Sequence, residues 1–306
     1  MTSDAASTIV ALAVVLVMAP LVPGVATRTR ALLTGRRGAP VWQLYADVRK
    51  LLRRGIVYSR TATQPFRLVP IVGLAGVLAA ALLAPLDGRS SIMSFSGDIV
   101  AFAYVLALGR FVLVLGALDT GSSFEGMGAS REVTFAALVE LALFVVLAAM
   151  SVATGALSLS GMLGAGLSHA WATSAPALAL IAAGFFVLLL AECSRSPVDD
   201  PATHLELTMI HEVMILDHSG PDLGVILYAH ALKLSLLGAV LTRLVWPVAG
   251  MSLAARLGAL VAGVLVTGVL VGIVEASMAR LRLPKVPLYI AGGAALSVFG
   301  LVLLLR

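Results

Sequence analysis

An all-helical protein that crosses a membrane about eight times is the fold class that three observations predict. Apolar residues make up 60% of the 306 and charged residues 12%, whereas a water-soluble chain is nearer half and a quarter. The apolar residues gather in runs of about 20, the length a helix needs to cross a hydrocarbon core roughly 30 Å thick. Lys and Arg gather in alternate connections between those runs, the distribution that orients a multi-pass chain. The longest stretch outside the runs lies around Arg28 to Arg67, so a large soluble catalytic domain is excluded. Residues 1–306 read as one integral membrane domain.

The runs lie at about 8–26, 68–86, 99–118, 133–156, 173–192, 223–245, 255–275 and 286–305. No basic region precedes the first, and Arg28 and Arg30 follow it, so it reads as an anchor with its N-terminus outside rather than as a signal peptide. The first connection, 27–67, holds ten Lys and Arg; the third adds Arg131, the fifth Arg195, and the seventh Arg280, Arg282 and Lys285. The other side holds Arg89, Arg243, Arg256 and Arg306, scattered or terminal. Odd-numbered connections are therefore expected in the cytoplasm and both termini outside. A net charge of +5 has this cause and implies no nucleic acid.

Within the first connection, Val41 to Arg54 has the spacing of an amphipathic helix, with Val41, Leu44, Tyr45, Val48, Leu51 and Leu52 on one face and Asp47, Arg49, Lys50, Arg53 and Arg54 elsewhere. Such a helix suits a membrane surface, a soluble partner, or both. The third connection, 119–132, is rich in Gly and Ser but lacks the lysine of a phosphate-binding loop, so a tight turn lining a cavity is expected. The fifth, 193–222, is acidic and carries His204, His211 and His218 every seven residues, about 10 Å apart on a helix and too far to share a metal ion. A short amphipathic helix is expected there over 205–216. The single cysteine, Cys193, excludes an internal disulfide and a self-contained iron–sulfur cluster, so no cofactor is expected on this chain.

Ionisable residues inside apolar runs are costly and usually have partners or a task. Here they are Arg110, Glu140, His230 and Lys233, with Glu192 and Glu275 near run ends. Arg110 and Glu140 fall at similar depth on consecutive runs, which predicts an ion pair. His230 and Lys233 are spaced i, i+3, on one helix face. Two readings stay open: structural pairs between helices, or a polar path from the cytoplasmic edge toward the midplane.

Three segments carry a resemblance. AECSRSPVDDPATHLEL, Ala191 to Leu207, resembles the AETNRxPFDLPExESEL segment of the membrane subunit that anchors the peripheral arm of respiratory complex I and of its homologue in group 4 membrane-bound nickel–iron (NiFe) hydrogenases such as formate hydrogenlyase. GRRGAPVWQLYADVRKLLRRG, Gly35 to Gly55, is similar to that family's RRGPxxLQPxxDxxKLL element, and GSSFEGMGASRE, Gly121 to Glu132, to its hydrogenase branch. Ala202 and His204 replace two acids of the quinone-reducing branch, and HLELTMIHE, His204 to Glu212, is closer to the hydrogenase branch.

The resemblance implies a proton- or sodium-coupling role for Glu140, Glu192, Asp199 and Glu206; with Glu212 and the in-run groups Arg110, Lys233, His230 and Glu275 these are the expected coupling residues, and Arg36, Arg37, Asp47, Lys50, Glu125, Arg131, Glu132 and Arg195 of the cytoplasmic connections are the expected docking residues. It implies membership of a formate hydrogenlyase-type complex in a bacterial or archaeal cytoplasmic membrane. Expected partners are a soluble hydrogenase-like large subunit bearing the NiFe centre, an iron–sulfur subunit, antiporter-like membrane subunits and membrane lipid. The alternatives are the equivalent subunit of a NADH:quinone oxidoreductase, which would add a quinone, and a freestanding transporter or channel.

Overall fold

The computed structural model describes residues 2–199 and 209–306, with side chains from Ala6 onward. It is 74% helical without strands among the described residues. Seven helices are each long and apolar enough to span a membrane, and a bent pair makes an eighth.

That pair replaces the single first span expected over 8–26. Helix α1 (Thr2–Met18) and α2 (Leu21–Leu33) meet at 46°. Pro20 sits at the break and lacks the N–H that would continue the ladder, which leaves Leu16 O without its helical donor. Tyr228 Oη supplies the missing bond to Leu16 O at 3.0 Å. Helix α2 then runs on past residue 26 and carries Arg28 and Arg30 within it.

The amphipathic helix is present as α3 (Gln43–Leu51), shorter at both ends than 41–54. It packs on the start of α9 (Gly220–Val245), where a Cβ on Gly224 would lie 3.2 Å from Leu51 Cβ. Helices α4 (Gln64–Leu83) and α5 (Asp98–Asp119) form a close pair.

The Gly-rich stretch 119–132 is a helix and not a turn. Only 120–122 connect, and α6 runs from Ser123 to Thr154, about 48 Å at helical rise. Ser122 and Glu125 stand in the S-x-x-E spacing of a helix start, and packing overrides the poor propensity of the glycines. Gly128 is required by close approach: a Cβ there would stand 3.0 Å from Ile210 O and closer still to Val213 Cγ1.

After the single turn α7 (Leu159–Met162) come α8 (Gly166–Glu192), kinked at Ser174 before Pro176, then α9, α10 (Leu253–Ser277) and α11 (Val286–Leu304). Small residues let the outer helices close in, as membrane helices need without a hydrophobic drive between them. A Cβ on Gly272 of α10 would stand 2.5 Å from Ala26 O of α2.

Helix α9 contacts α1, α2, α3, α4, α8 and α10 and is buried without interruption from Leu234 to Leu244. The odd-numbered connections meet at one end of the bundle: Thr63 Oγ1 bonds Asp119 at 2.6 Å, Tyr58 bonds Asp222 at 2.8 Å, and Leu281 N bonds Pro197 O at 2.9 Å. The even-numbered ones meet at the other, where Ser91 bonds Ser160 at 3.0 Å and Leu159 N bonds Asp98 at 2.7 Å. In the fifth connection, residues 200–208 lie outside the described residues, including His204 and Glu206. The amphipathic helix expected over 205–216 falls partly on those residues; in its described part, 209–216, there is a 3-10 turn, Glu212–Ile215. Val213, Met214 and Ile215 all turn inward, so no solvated acidic face forms along this turn.

Candidate functional site

The C-terminal turn of α8 brings Glu192 to the middle of the bundle at the basic end, where its carboxylate is shared by two cations. Glu192 Oε2 lies 2.8 Å from Arg110 Nη1 of α5, and Oε1 lies 2.7 Å from Lys233 Nζ of α9. Arg110 turns its other terminal nitrogen to Glu140 of α6 at 3.2 Å, the pairing that equal depth predicted. Its Nε stands 4.0 Å from Glu132 Oε1, one further helical stretch up α6. Three carboxylates thus surround two cations. The side chain of Glu192 is 5% exposed and that of Glu140 34%, so the network runs from a dry centre to an accessible rim. A charge pair so poorly hydrated interacts strongly and is held only if its partners remain in place.

A cavity of about 70 Å³ borders this network. Val69, Pro70 and Gly73 of α4 and Leu106 of α5 form an apolar wall, and Arg110, Glu132, Glu192 and Lys233 form the charged one. His211 and His230 close it, their rings 4.4 Å apart, with His230 Nε2 2.9 Å from Cys193 O. Burial, reinforced by Lys233, lowers the His211 pKa to about 4, so this imidazole is neutral near pH 7. Burial likewise raises the Cys193 thiol to about 12, which leaves the only cysteine unreactive.

A second network adjoins on the fifth and seventh connections. Arg195 Nε pairs with Glu275 Oε1 at 2.9 Å and Arg280 Nη2 with Asp199 Oδ1 at 3.2 Å. Asp199 Oδ2 accepts from the backbone N–H groups of Ile210 and His211, both at 3.1 Å, and so pins the far end of the fifth connection. Glu212 lines a second cavity of about 130 Å³ together with Asp199 and His230. Of the coupling residues expected from sequence, Arg110, Glu140, Glu192 and Lys233 form one network and His230 borders it. Asp199 and Glu275 belong to the second network, and Glu206 lies outside the described residues.

The expected docking residues separate into two groups. Arg36, Arg37 and Lys50 are exposed, and Asp47 is half-buried and accepts a 3.0 Å bond from Gln43. Glu125 is fully buried with Oε1 on the Asp217 N–H at 3.1 Å, Arg195 is buried on Glu275, and Arg131 donates to Met209 O at 2.8 Å. Glu132 faces Arg110. These four hold the fifth connection and the network, because α6 continues through the stretch in which a loop was expected.

Sequence reasoning missed a charge cluster at the opposite end. Arg243, expected to be scattered in a connection, is 1% exposed; its Nε and Nη2 donate to Leu86 O at 3.0 and 2.7 Å. Arg256 pairs with Asp87 at 3.3 Å, and Ser7 donates to the same carboxylate at 2.7 Å. The available signal was position: Arg243 lies inside the run 223–245 and Arg256 inside 255–275.

Comparison with known proteins places these features. The sequence profile of the family described as NADH dehydrogenase matches residues 6–304. The chain is 34% identical to "Hydrogenase-4 component C" of Escherichia coli (strain K12) over 276 residues, 88% of this chain and 86% of that one. It is 33% identical to "Formate hydrogenlyase subunit 4" of the same organism over 281 residues, 90% of each. Its fold is like that of a chain in the structure of the membrane-bound sulfane sulfur reductase, an archaeal respiratory membrane complex, with TM-score 0.83, 17% identity and 99% of both chains covered.

Proposed function

Since the chain belongs to the NADH dehydrogenase family and is an integral multi-pass membrane protein, we propose that it is the membrane-anchoring, ion-coupling subunit of a formate hydrogenlyase-type group 4 hydrogenase. Two relatives, similar over 86% and 90% of their own length, bear hydrogenase and formate hydrogenlyase names, which supports that branch. In this reading a soluble arm docks at the basic end and holds the NiFe and iron–sulfur centres, and antiporter-like membrane subunits lie alongside. The basic end faces the cytoplasm by the excess of Lys and Arg there.

The observation that carries the reading is the sharing of Glu192 between Arg110 and Lys233 beside a cavity. A carboxylate bonded to two cations cannot take a proton without leaving both short of a counter-charge. Arg110 then leans on Glu140 and Glu132, and Lys233 loses the carboxylate it is bonded to. In this reading a charge change on the soluble arm is passed inward as a redistribution of these ion pairs among residues on four helices. Glu140→Gln and Glu192→Gln in the assembled complex, reconstituted in proteoliposomes, are expected to lower ion translocation per turnover. If both turnover and translocation stay unchanged, the relay role is wrong.

One observation favours the quinone-reducing alternative. The second cavity is lined by Pro23, Leu44 and Leu227 together with Asp199, His211 and His230, the mixture of apolar surface and polar groups that small-molecule sites use. Hydrogen evolution that is insensitive to quinone-site inhibitors favours the hydrogenase; loss of activity on adding them favours the quinone enzyme. The freestanding-channel reading meets the unbroken buried stretch of α9 from Leu234 to Leu244, and it requires transport in liposomes by the purified chain alone.

A further inference from the structure

A crevice outside the charge network joins two surfaces that rarely meet. Its apolar part lies between the bend of the first span, α3 and α9, and is lined by Pro20, Tyr45, Val48, Leu52 and Tyr228, with a volume of about 350 Å³. The tyrosines add to its apolar character, because their hydroxyls are turned away: Tyr228 donates to Leu16 O and Tyr45 to Val17 O, carbonyls at the helix break. What remains toward the crevice is ring and aliphatic surface. Arg49 and Arg53 stand at its rim and also line the adjoining groove on α3, together with Lys50 and Arg54.

The spacing on α3 produces this juxtaposition. Tyr45 and Val48 stand i, i+3 on α3 and line the crevice with Leu52 of the turn that follows, while Arg49 and Arg53 come next after Val48 and Leu52 along the chain. Four cations within six residues make no ion pair with a described carboxylate: the nearest acid on the helix, Asp47, accepts from Gln43. All four are exposed. Tyr228 is eight residues into α9 from the basic end, about 12 Å at helical rise, so the crevice descends from the rim to acyl-chain depth.

We propose that this crevice is a binding site for one anionic phospholipid, with its phosphate held by Arg49 and Arg53 and supported by Lys50 and Arg54, and the start of an acyl chain laid against Val48, Leu52 and the two tyrosine rings. Charge complementarity selects this occupant. A neutral quinone needs no ring of four cations, and an acidic protein segment would use the cations and leave the apolar crevice unfilled. The site stands independently of the coupling role.

The test uses the intact complex, extracted in mild detergent, stripped of lipid and then given phosphatidylglycerol or phosphatidylcholine, with retained lipid read by native mass spectrometry. Phosphatidylglycerol is expected to be retained on the order of tenfold better, and Arg49→Gln/Arg53→Gln to erase that preference, since each cation near an anionic headgroup contributes about fivefold or more. Arg36→Gln/Arg37→Gln removes the same charge from exposed positions outside the crevice and is expected to leave the preference intact. Equal retention of both lipids overturns the proposal, as does an equal loss in the two double variants, which would mean surface charge alone. Inorganic phosphate competing as well as phosphatidylglycerol would remove the crevice from the site. Unchanged lipid retention in Arg49→Gln/Arg53→Gln with loss of a soluble subunit would make this a protein-docking face.

Discussion

The two ends of the bundle both bury charge, yet they do so with different chemistry. At the basic end, three carboxylates, Glu132, Glu140 and Glu192, are arranged round Arg110 and Lys233 beside a cavity. At the other end, Arg256 pairs with the Asp87 carboxylate, and Arg243 directs its N–H groups to the backbone carbonyls of Leu86 and Arg256. Arg243 of α9 and Arg256 of α10 both reach residues 86 and 87, by backbone carbonyls and one carboxylate, so the second cluster is a staple joining the 84–97 connection to α9 and α10. The first lies beside a cavity and joins side chains of four helices to one another rather than to backbone carbonyls. A buried charge therefore says little about function until its partners are known.

The difference is open to direct attack. Glu192→Ala leaves two cations with an unmatched charge and is expected to destabilise the chain by about 3–5 kcal/mol, measured by reversible unfolding in bicelles; a loss under about 1 kcal/mol would make the two ends alike. Acid is expected to act on the basic end first. His218 is 4% exposed, stacked on Phe66 with ring centroids 3.9 Å apart, and its pKa is lowered to about 4, as is that of His211, by burial. Each is neutral in the fold and protonated more readily when unfolded. Stability is therefore full above about pH 6.5 and falls between 6.5 and 4, by at most about 1.4 kcal/mol per pH unit for each histidine. Hydrogen exchange should accelerate in residues 209–219 before it does near Asp87, and His218→Phe should flatten the slope.

At the opposite end the effects should be smaller and functionally silent. Arg243→Met leaves Leu86 O without its donors and is expected to cost about 1–3 kcal/mol, with turnover and translocation of the assembled complex unchanged. Ser7→Ala removes one hydrogen bond to Asp87, a loss of about 1 kcal/mol visible as a small shift in the midpoint of unfolding. Impaired translocation in either variant would mean that the staple takes part in coupling.

What could be read before the structure follows the range of each interaction. The spans were legible because apolar length is a local property, and the Arg110–Glu140 pair because consecutive helices in a short connection must lie side by side. The Glu192–Lys233 contact was not legible as a pair: it joins α8 to α9 across the fifth connection, and only the register of the packed helices brings Oε1 to Nζ. The bend at Pro20 went unread because hydropathy does not register a missing N–H. The glycines of 126 and 128 suggested a turn, but one of them serves a close approach to Ile210 within a continuous helix. The staple was missed because Arg243 and Arg256 were counted as ends of spans, where side chains commonly reach water.

From Leu234 to Leu244, α9 is enclosed on all sides, with Ser235 and Thr242 its polar side chains before Arg243. Ser235 is bonded to Ala19 O and Thr242 to Gly238 O, so neither offers a free dipole to a travelling ion. Along this helix some 15 Å of rise without a free side-chain dipole therefore separates the two charged ends. In the coupling role proposed above, the chain resembles a capacitor plate more than a wire: charge is sensed at Glu192, and any current it controls leaves sideways into a neighbour.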